Sequence, residues 1–385
     1  MWIRDHEPEV FEHASYILDC ADWITHRLTG EWTASVNTAS SKYYFDRDAG
    51  GWPTRLYELA DAVDVLDKLP GDVLDVGAPV GEGLHRAVAA ELGLKPGIPV
   101  GQSSVDAYAG ALGLGVVDPG SLALITGSSH VIIAQAAEPV HDSGFWGAYT
   151  DAIVPGLYTI EAGQAATGSI VAWFTENLAG GVLGEARRRD VDAYELLGEM
   201  AGEVPIGCDG LVMLDYFQGN RSPHTDPRAR GAITGLSLSH GLGHLFRAVM
   251  EAVCYGTEEI LQTMRSNGVQ PTVNVVSGGP ARSELWMQMH ADVSGIPIAF
   301  TKVSEGPVLG AAIQAGVGAG IYPDLPTAVE AMVSRERTLE PDPARHEEYR
   351  YWNERYRDLY AALRELQHDV ARHCASAGSP QRGYA

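Results

Sequence analysis

The feature that most constrains the fold is a short apolar strand that leads directly into a pair of glycines. The strand is predicted over Val273 to Val276, and Ser277-Gly-Gly-Pro follows it. Ala281 to Val293 then has the length and apolar spacing of a helix. Together with the apolar helix predicted over Leu245 to Met264, this alternation indicates an α/β domain with a mostly covered sheet. The pattern fits a Rossmann domain as readily as an actin-like one.

Length, composition and charge limit the classes of protein to which the chain can belong. Its 385 residues suggest two domains, and 45% apolar residues suffice for ordinary buried cores. The net charge of −23 argues against nucleic acid as a partner, because a phosphate backbone requires Lys and Arg to replace its counterions. The same charge argues against an anionic membrane surface. A small molecule is therefore the expected partner, and the sequence leaves a homodimer open.

Cysteine usage and the opening residues indicate a cytoplasmic protein. The four cysteines stand far apart and no CxxC motif occurs, which is typical of thiols in a reducing compartment. The segment that begins at Met1 is charged at once, unlike a secretory signal peptide. The most lipid-like run, Val308 to Tyr322, is rich in Gly and Ala and is too short to cross a bilayer.

The first part of the chain is predicted to contain one long helix, a loop with a shorter helix, and a strand. Apolar residues follow the 3.6-residue period over 8–29, and Gly30 supplies a stop. A loop and a helix are expected over 81–94. The turn that starts at Leu94 is expected to lead into a strand at Ile98-Pro-Val.

The turn signals in the sequence divide the chain into three parts. The turn Asp118-Pro-Gly is the expected domain boundary, which gives a first domain over 1–118 and a second over 119–320. The second domain is predicted to open with a β-hairpin over 121–134, whose tip is Gly127-Ser-Ser-His. A tail over 321–385 is expected to carry a charged amphipathic helix and to pack on the second domain.

A carboxylate at the start of a helix is the first candidate for chemistry. In Gly101-Gln-Ser-Ser-Val-Asp-Ala, Asp106 follows an expected strand and begins a small-residue helix. The N-terminus of a helix stabilises a negative charge, and an enzyme that phosphorylates an alcohol needs a base for the hydroxyl proton. By itself, the position is more often that of an ordinary capping Asp.

Five further segments carry candidate residues, although each taken singly is typical of a turn or a loop. The hairpin tip can offer backbone amides to phosphate oxygens. The other segments are Ala39-Ser-Ser-Lys-Tyr, Glu161-Ala-Gly-Gln-Ala-Ala-Thr-Gly, Gly219-Asn-Arg-Ser-Pro and Gly231-Ala-Ile-Thr-Gly-Leu. In the glycine pair after Val276, a Cβ would block the close approach of the backbone to a ligand.

In their order and composition these motifs resemble those of the FGGY carbohydrate kinases, in a form close to the ribulokinases. The resemblance runs from about Trp2 to about Leu366. It implies an α/β fold of two actin-like (ribonuclease H-like) domains, with the active site in the cleft between them. It also implies ATP and Mg²⁺, and a sugar as the phosphoryl acceptor, with a pentulose such as ribulose favoured.

The resemblance also implies a role for each matched residue. Asp106 takes the place of the catalytic base and of a contact to Mg²⁺. Lys42 and Glu161 take the places of residues that hold sugar hydroxyls, with Gln164 in support. The residues expected at the nucleotide are Gly127, Ser128, Ser129, Gly235, Gly278, Gly279 and Ser283.

The chain also departs from the family pattern. Ser128 stands where a threonine is usual, and Glu284 stands where an asparagine is common. Family members begin with an Asp-x-Gly-Thr phosphate loop upstream of the point that Met1 matches, so we expect a truncated first domain. The alternatives are a non-catalytic relative that binds sugar and nucleotide, and a kinase of xylulose, erythritol or glycerol. A dehydrogenase is disfavoured because no GxGxxG fingerprint occurs.

Overall fold

The structure is a computed structural model that describes residues 1–376. The strands in chain order are β1 (Thr33–Ser35), β2 (Asp72–Leu74), β3 (Ser121–Thr126), β4 (His130–Ala136), β5 (Trp146–Thr150), β6 (Tyr158–Gln164), β7 (Val212–Leu214), β8 (Ala232–Thr234), β9 (Val273–Gly278), β10 (Ile298–Thr301) and β11 (Arg335–Leu339). The helices are α1 (Trp2–His6), α2 (Pro8–His13), α3 (Cys20–Thr29), α4 (Val36–Tyr43), α5 (Thr54–Leu59), α6 (Val63–Leu66), α7 (Arg86–Leu92), α8 (Asp106–Gly113), α9 (Gly168–Leu178), α10 (Gly180–Arg189), α11 (Ala193–Gly202), α12 (Leu242–Ser266), α13 (Glu284–Ser294), α14 (Gly306–Gly318), α15 (Leu325–Met332) and α16 (Pro343–Ser376).

A mixed seven-stranded sheet forms the centre of the molecule, in the order β11-β10-β9-β3-β4-β6-β5. Strand β9 pairs in parallel with both β3 and β10, and the remaining pairs are antiparallel. Adjacent residues of a strand point to opposite faces. Leu122 and Leu124 accordingly lie in one buried cluster with α12, whereas Ala123 lies in a second cluster with α8. The predicted covered sheet and the hairpin over 121–134 are confirmed.

Close packing of two small-residue helices fixes the position of α8 on this sheet. A Cβ at Gly113 would overlap the carbonyl group of Gly306, and one at Gly310 would overlap that of Ala109. Only glycine allows these backbones to approach so closely. Helix α8, which begins at Asp106, is therefore held against α14 and the sheet beneath it.

Two predictions for the first part of the chain are wrong. The helix expected over 8–29 is interrupted, because α2 ends at His13 and Asp19 caps a new helix by accepting a hydrogen bond from Ala21 N at 3.1 Å. Between them, Ile17 N donates to the carbonyl oxygen of Lys68 at 2.8 Å, so a tertiary contact replaces the helical bond. Residues 98–100 form isolated hydrogen bonds with the loop over 80–84 instead of a strand.

The tail contains the expected helix, α16, which buries one side against the rest of the protein. Its buried residues are Tyr349, Asn353, Tyr356 and Tyr360. Three of these tyrosines belong to the same buried cluster as α12 and β7. The four buried residues are spaced three to four positions apart, so they form a single buried stripe, and the remaining faces stay charged.

Candidate functional site

Asp106 stands exposed at the first position of α8. The residues before it are anchored from two sides. Val105 N donates to Asn37 Oδ1 at 3.0 Å, and the fully buried Gln102 accepts from Thr33 Oγ1 at 2.9 Å while donating to Asp22 Oδ1 at 2.9 Å. These bonds hold the chain on its approach to α8. The Asp106 carboxylate is thus carried on a fixed backbone and remains accessible.

Glu161, on β6, is held by one residue on each carboxylate oxygen. The hydroxyl of Tyr108 donates to Oε2 at 2.8 Å, and the guanidinium of Arg221 donates to Oε1. Burial, reinforced by the charge of Glu161, raises the pKa of Tyr108 well above its usual range, so that its hydroxyl stays a donor. Because Tyr108 lies two residues after Asp106 on α8, this hydrogen bond ties the helix that begins at Asp106 to Glu161.

Arg221 is also stacked on an aromatic ring. Its guanidinium carbon lies 4.6 Å from the ring centroid of Trp146, within the range of a cation–π contact. Trp146 lies on β5 directly opposite Glu161 in the strand register. Sequence reasoning treated Asn220-Arg-Ser-Pro as a loop of turn-forming residues and missed Arg221, Tyr108 and Trp146. An Arg in a turn-rich loop was the available signal, but its partner lies 60 positions away in the chain.

Lys42 lies in the last turn of α4 and is exposed. Its helix is tied to the same region by Asn37, whose amide donates to the carbonyl oxygen of Ala152 at 2.9 Å and whose Oδ1 receives Val105 N. Helix α4 also packs against β5, the strand that carries Trp146. The structure therefore brings the helix of Lys42 beside the elements that carry Asp106 and Glu161.

Gln164 is only 4% exposed, and its side-chain amide is fully engaged by protein groups. It donates to Asp215 Oδ2 at 2.8 Å and to the carbonyl oxygen of Val253 at 3.0 Å, and it accepts from Thr257 Oγ1 at 2.8 Å. The structure places this residue beneath the site, where it joins β6 to α12. Gln164 can therefore affect sugar binding only indirectly, by fixing the position of β6, the strand that also carries Glu161.

The hairpin tip and the glycine pair lie at the same end of the parallel strands β3 and β9, where Thr126 is directly opposite Gly278. Gly127 and Ser128 are exposed. The carbonyl oxygen of Ser128 accepts from the backbone amides at the start of α9, Thr167 N at 2.9 Å and Ser169 N at 3.1 Å. These bonds fix the tip that contains Ser129, and the pairing of β3 with β9 places it next to the turn at Gly278 and Gly279.

The other two residues expected at the nucleotide have different surroundings. Ser283 caps α13 by accepting from Trp286 N at 3.3 Å, directly after the turn formed by Gly279 to Arg282. Gly235 has a φ of +87° and follows β8, in the separate two-stranded sheet β7-β8. A Cβ at Gly235 would overlap the carbonyl group of Gly210. The structure thus explains the glycine by a close backbone contact and places it outside the seven-stranded sheet.

The acidic residues of the site fit a magnesium ion that is bound mainly through phosphates. Among residues 1–376, no group of three or more His, Cys, Asp or Glu side chains is placed to hold a metal. Mg²⁺ ordinarily takes one or two protein carboxylates and completes its shell with water and substrate phosphates. A single exposed carboxylate such as Asp106 is compatible with that arrangement. No helix within the described residues is long and apolar enough to cross a membrane.

Two family models match the chain. The model of the N-terminal domain of the FGGY family of carbohydrate kinases matches residues 1–113, and the model of the C-terminal domain matches residues 122–319. The match of the N-terminal model to residues 1–113 does not clearly support the expected truncation of the first domain. The break between the two matches contains the turn at Asp118 that sequence analysis predicted as a boundary.

Curated and solved relatives agree with these matches. A ribulokinase of Mycolicibacterium smegmatis is 36% identical over 376 residues, which cover 95% of this chain and 64% of that protein. A ribulokinase of Shouchella clausii is 33% identical and is covered to 70%. The structure of a xylulose kinase from Rhodospirillum rubrum superposes with a TM-score of 0.83 at 34% identity, covering 95% of this chain and 72% of that one. The chain thus spans roughly two thirds of the length of the curated relatives named here.

The likeness to solved structures confirms the predicted α/β fold, since the mixed sheet and its helices match those of FGGY kinases over nearly the whole chain. The two family models together leave only the tail and a short central gap unmatched. The chain belongs to the FGGY family of carbohydrate kinases.

Proposed function

We propose that this protein transfers the γ-phosphoryl group of ATP to a hydroxyl group of a pentulose. The observation that carries the proposal is the hydrogen bond from Tyr108 to Glu161, which ties the helix that begins at the exposed Asp106 to the strand that carries Glu161. The names of the ribulokinase relatives favour ribulose as the acceptor. The structural neighbour from Rhodospirillum rubrum favours xylulose as the second candidate.

In this proposal each residue of the sugar half has a separate task. Glu161 accepts hydrogen bonds from sugar hydroxyls, and the exposed ammonium group of Lys42 donates to sugar oxygens. Asp106 accepts the proton of the attacking hydroxyl group as the phosphoryl group is transferred. Gln164 keeps β6, and with it Glu161, in place through its bonds to Asp215 and Val253.

The nucleotide half is proposed at the end of β3 and β9. Gly278 and Gly279 provide a turn without side chains against which adenosine packs, and Ser283 begins the helix that follows. Gly127, Ser128 and Ser129 offer amides and hydroxyls to the phosphates. Gly235 is assigned to the same group only by family resemblance. Mg²⁺, held by Asp106 and by the phosphates, would neutralise the charge of the transferred group.

The compartment belongs to the same proposal. All four cysteines, Cys20, Cys208, Cys254 and Cys374, are free thiols, and Cys208 and Cys254 are buried. Unpaired cysteines are typical of proteins in a reducing compartment, so we assign this kinase to the cytoplasm.

Sugar-dependent release of ADP by the full chain tests the proposal. The panel contains D-ribulose, L-ribulose, D-xylulose, erythritol and glycerol, each assayed with MgATP. Turnover with one pentulose supports the proposal, and a preference for xylulose selects the second candidate. Binding of ATP and of a sugar without any release of ADP would instead identify a non-catalytic relative and refute phosphoryl transfer.

A further inference from the structure

The surroundings of Glu161 indicate a role for Arg221, a residue to which the family resemblance assigns none. The side chain of Glu161 is 17% exposed, so its charge is largely removed from water. Removing a carboxylate from water is costly unless a cation or several hydrogen-bond donors compensate for the lost solvent. Tyr108 supplies one neutral donor, and the guanidinium of Arg221 supplies the charge. Arg221 is therefore the cation that balances the proposed sugar-binding carboxylate.

Arg221 is itself held in one position. Its guanidinium lies over the ring of Trp146, and its side chain is 32% exposed. The loop that carries it is closed by a reciprocal pair of backbone hydrogen bonds between Asn220 and Asp226, at 2.9 and 2.8 Å. A planar guanidinium that is fixed on both sides loses little freedom when it donates, which favours a precise geometry over mere neutralisation.

The loop is in turn anchored on the tail helix. Asp226 Oδ2 accepts from Tyr360 at 2.9 Å and contacts Nε2 of His368 at 2.7 Å. Burial alone would raise the pKa of Asp226, but these two hydrogen bonds lower it below the usual range, so the carboxylate is charged at neutral pH. A continuous set of polar contacts thus runs from α16 through the loop to Arg221 and Glu161.

On the basis of the proposed function, we infer that Arg221 is the positioning residue for sugar binding in this chain. It orients the carboxylate of Glu161 so that the free lone pairs of both oxygens point to where sugar hydroxyls bind. The contact with Trp146 in turn fixes the orientation of the guanidinium. Arg221 takes no part in proton transfer, which belongs to Asp106. Its loss should therefore weaken the binding of sugar much more than it slows the chemical step.

The test compares Arg221→Met, Arg221→Lys and a matched control, Arg188→Met. Arg188 also pairs with a glutamate, Glu185, but on an exposed surface of α10, where such pairs contribute little. Methionine keeps the length of the side chain and removes the charge. Lysine keeps the charge and removes the planar fork. For each variant we would measure kcat, the KM for sugar, the KM for ATP, and the Kd of the sugar by titration calorimetry.

We expect Arg221→Met to raise the KM and Kd for sugar about 10- to 100-fold, the range of a lost charge-assisted hydrogen bond. The kcat at saturating sugar and the KM for ATP should stay within about twofold of wild type, since only uniform binding is removed. Arg221→Lys should recover part of the affinity, and Arg188→Met should match wild type. Added guanidinium ion should partly restore sugar binding to Arg221→Ala, which a purely structural defect would not allow.

A sugar Kd within about twofold of wild type in Arg221→Met would overturn the inference. So would an equal loss in kcat and in affinity for both substrates, because that pattern indicates general damage. If Arg221→Met does not fold, Arg221→Lys decides by the same criteria. If the wild type binds a pentulose without turnover, phosphoryl transfer fails while the comparison of Kd values still tests Arg221. If the wild type binds no sugar, both proposals are overturned.

Discussion

The glycine pair at the end of β9 gives the sharpest test of the nucleotide half, because the structure predicts opposite behaviour for two adjacent residues. Gly278 has a φ of +103°, and a Cβ placed on it would lie 1.7 Å from the carbonyl oxygen of Thr126. Gly279 has an ordinary φ, and a Cβ there would have nothing within 4 Å. Substitution by Ala should therefore disrupt the fold at the first position and leave it intact at the second.

The magnitude for Gly278→Ala follows from two terms. A non-glycine residue in a backbone conformation of this kind costs about 1–3 kcal/mol. Overlap with the backbone of β3 forces a shift of a packed strand, which costs about 1–3 kcal/mol more. We expect the free energy of unfolding to fall by about 2–6 kcal/mol, the sum of these two terms, whereas Gly279→Ala should change it by less than about 0.5 kcal/mol. Urea denaturation of both variants beside wild type measures the difference.

The same pair separates folding from nucleotide binding. The Cβ of Gly279→Ala would enter the open space beside the turn, where we place adenosine, so the KM for ATP should rise while stability and the KM for sugar stay unchanged. The backbone geometry at β9 would be refuted by a Gly278→Ala variant as stable as wild type. An unchanged KM for ATP in Gly279→Ala would show that adenosine does not pack against this turn.

Three other predictions concern the base, a buried carboxylate and the tail. Asp106→Asn should lower kcat about 100-fold or more with little change in the KM for sugar, and near-normal turnover would exclude the residue as the base. Burial raises the pKa of Glu259 from 4.5 to about 7, although Arg357 lies 3.3 Å away. Its contribution to stability is then fully present below about pH 4.5 and is lost as the pH rises to about 7. Glu259→Gln should abolish this decline and raise the free energy of unfolding by up to about 3 kcal/mol at pH 8. Denaturation of both proteins over a range of pH measures this, and an equal decline of the free energy of unfolding in both would contradict it. Tyr360→Phe removes a donor to the buried Asp226 and should lower stability by about 1–3 kcal/mol in urea, whereas an unchanged midpoint would show that this bond is dispensable.

The sequence was sufficient to predict elements whose pattern is local. The hairpin over 121–134, the strand at Val273 and the helix of the tail each have a periodicity or a turn signal within the segment itself. The interruption of the helix expected over 8–29 has no such local signal, because the apolar period of the sequence continues through the break. At the break, hydrogen bonds to Lys68, a residue some 50 positions away in the chain, replace the helical hydrogen bonds. A tertiary contact of this kind has no signal in the local pattern.

The residues of the candidate site differ in the same way, because some lie in local motifs and others depend on tertiary contacts. Asp106, Glu161 and the glycine pair each lie in a contiguous motif, so the sequence alone selects them as candidates, and their roles stay predictions. Arg221 could not be selected in this way, since its importance arises from an ion pair across the fold and from stacking on Trp146. The position of Gln164 could not be predicted either. Its motif suggests a contact with sugar, but a buried amide must satisfy its donors and acceptor, and Asp215, Val253 and Thr257 already do so.

The register of the central sheet relates the two halves of the candidate site to each other. Gln164 pairs with His130, the first residue after the hairpin tip, and Glu161 lies three residues before Gln164 on the same strand. At the rise of a β-strand, three residues correspond to about 10 Å. Glu161 pairs with Ile133, whose side chain belongs to the buried cluster of α8, so the carboxylate faces the helix that begins at Asp106. The strand pair β4-β6 therefore carries both the sugar half proposed at Glu161 and the start of the hairpin tip proposed for phosphate, about 10 Å apart along the strand.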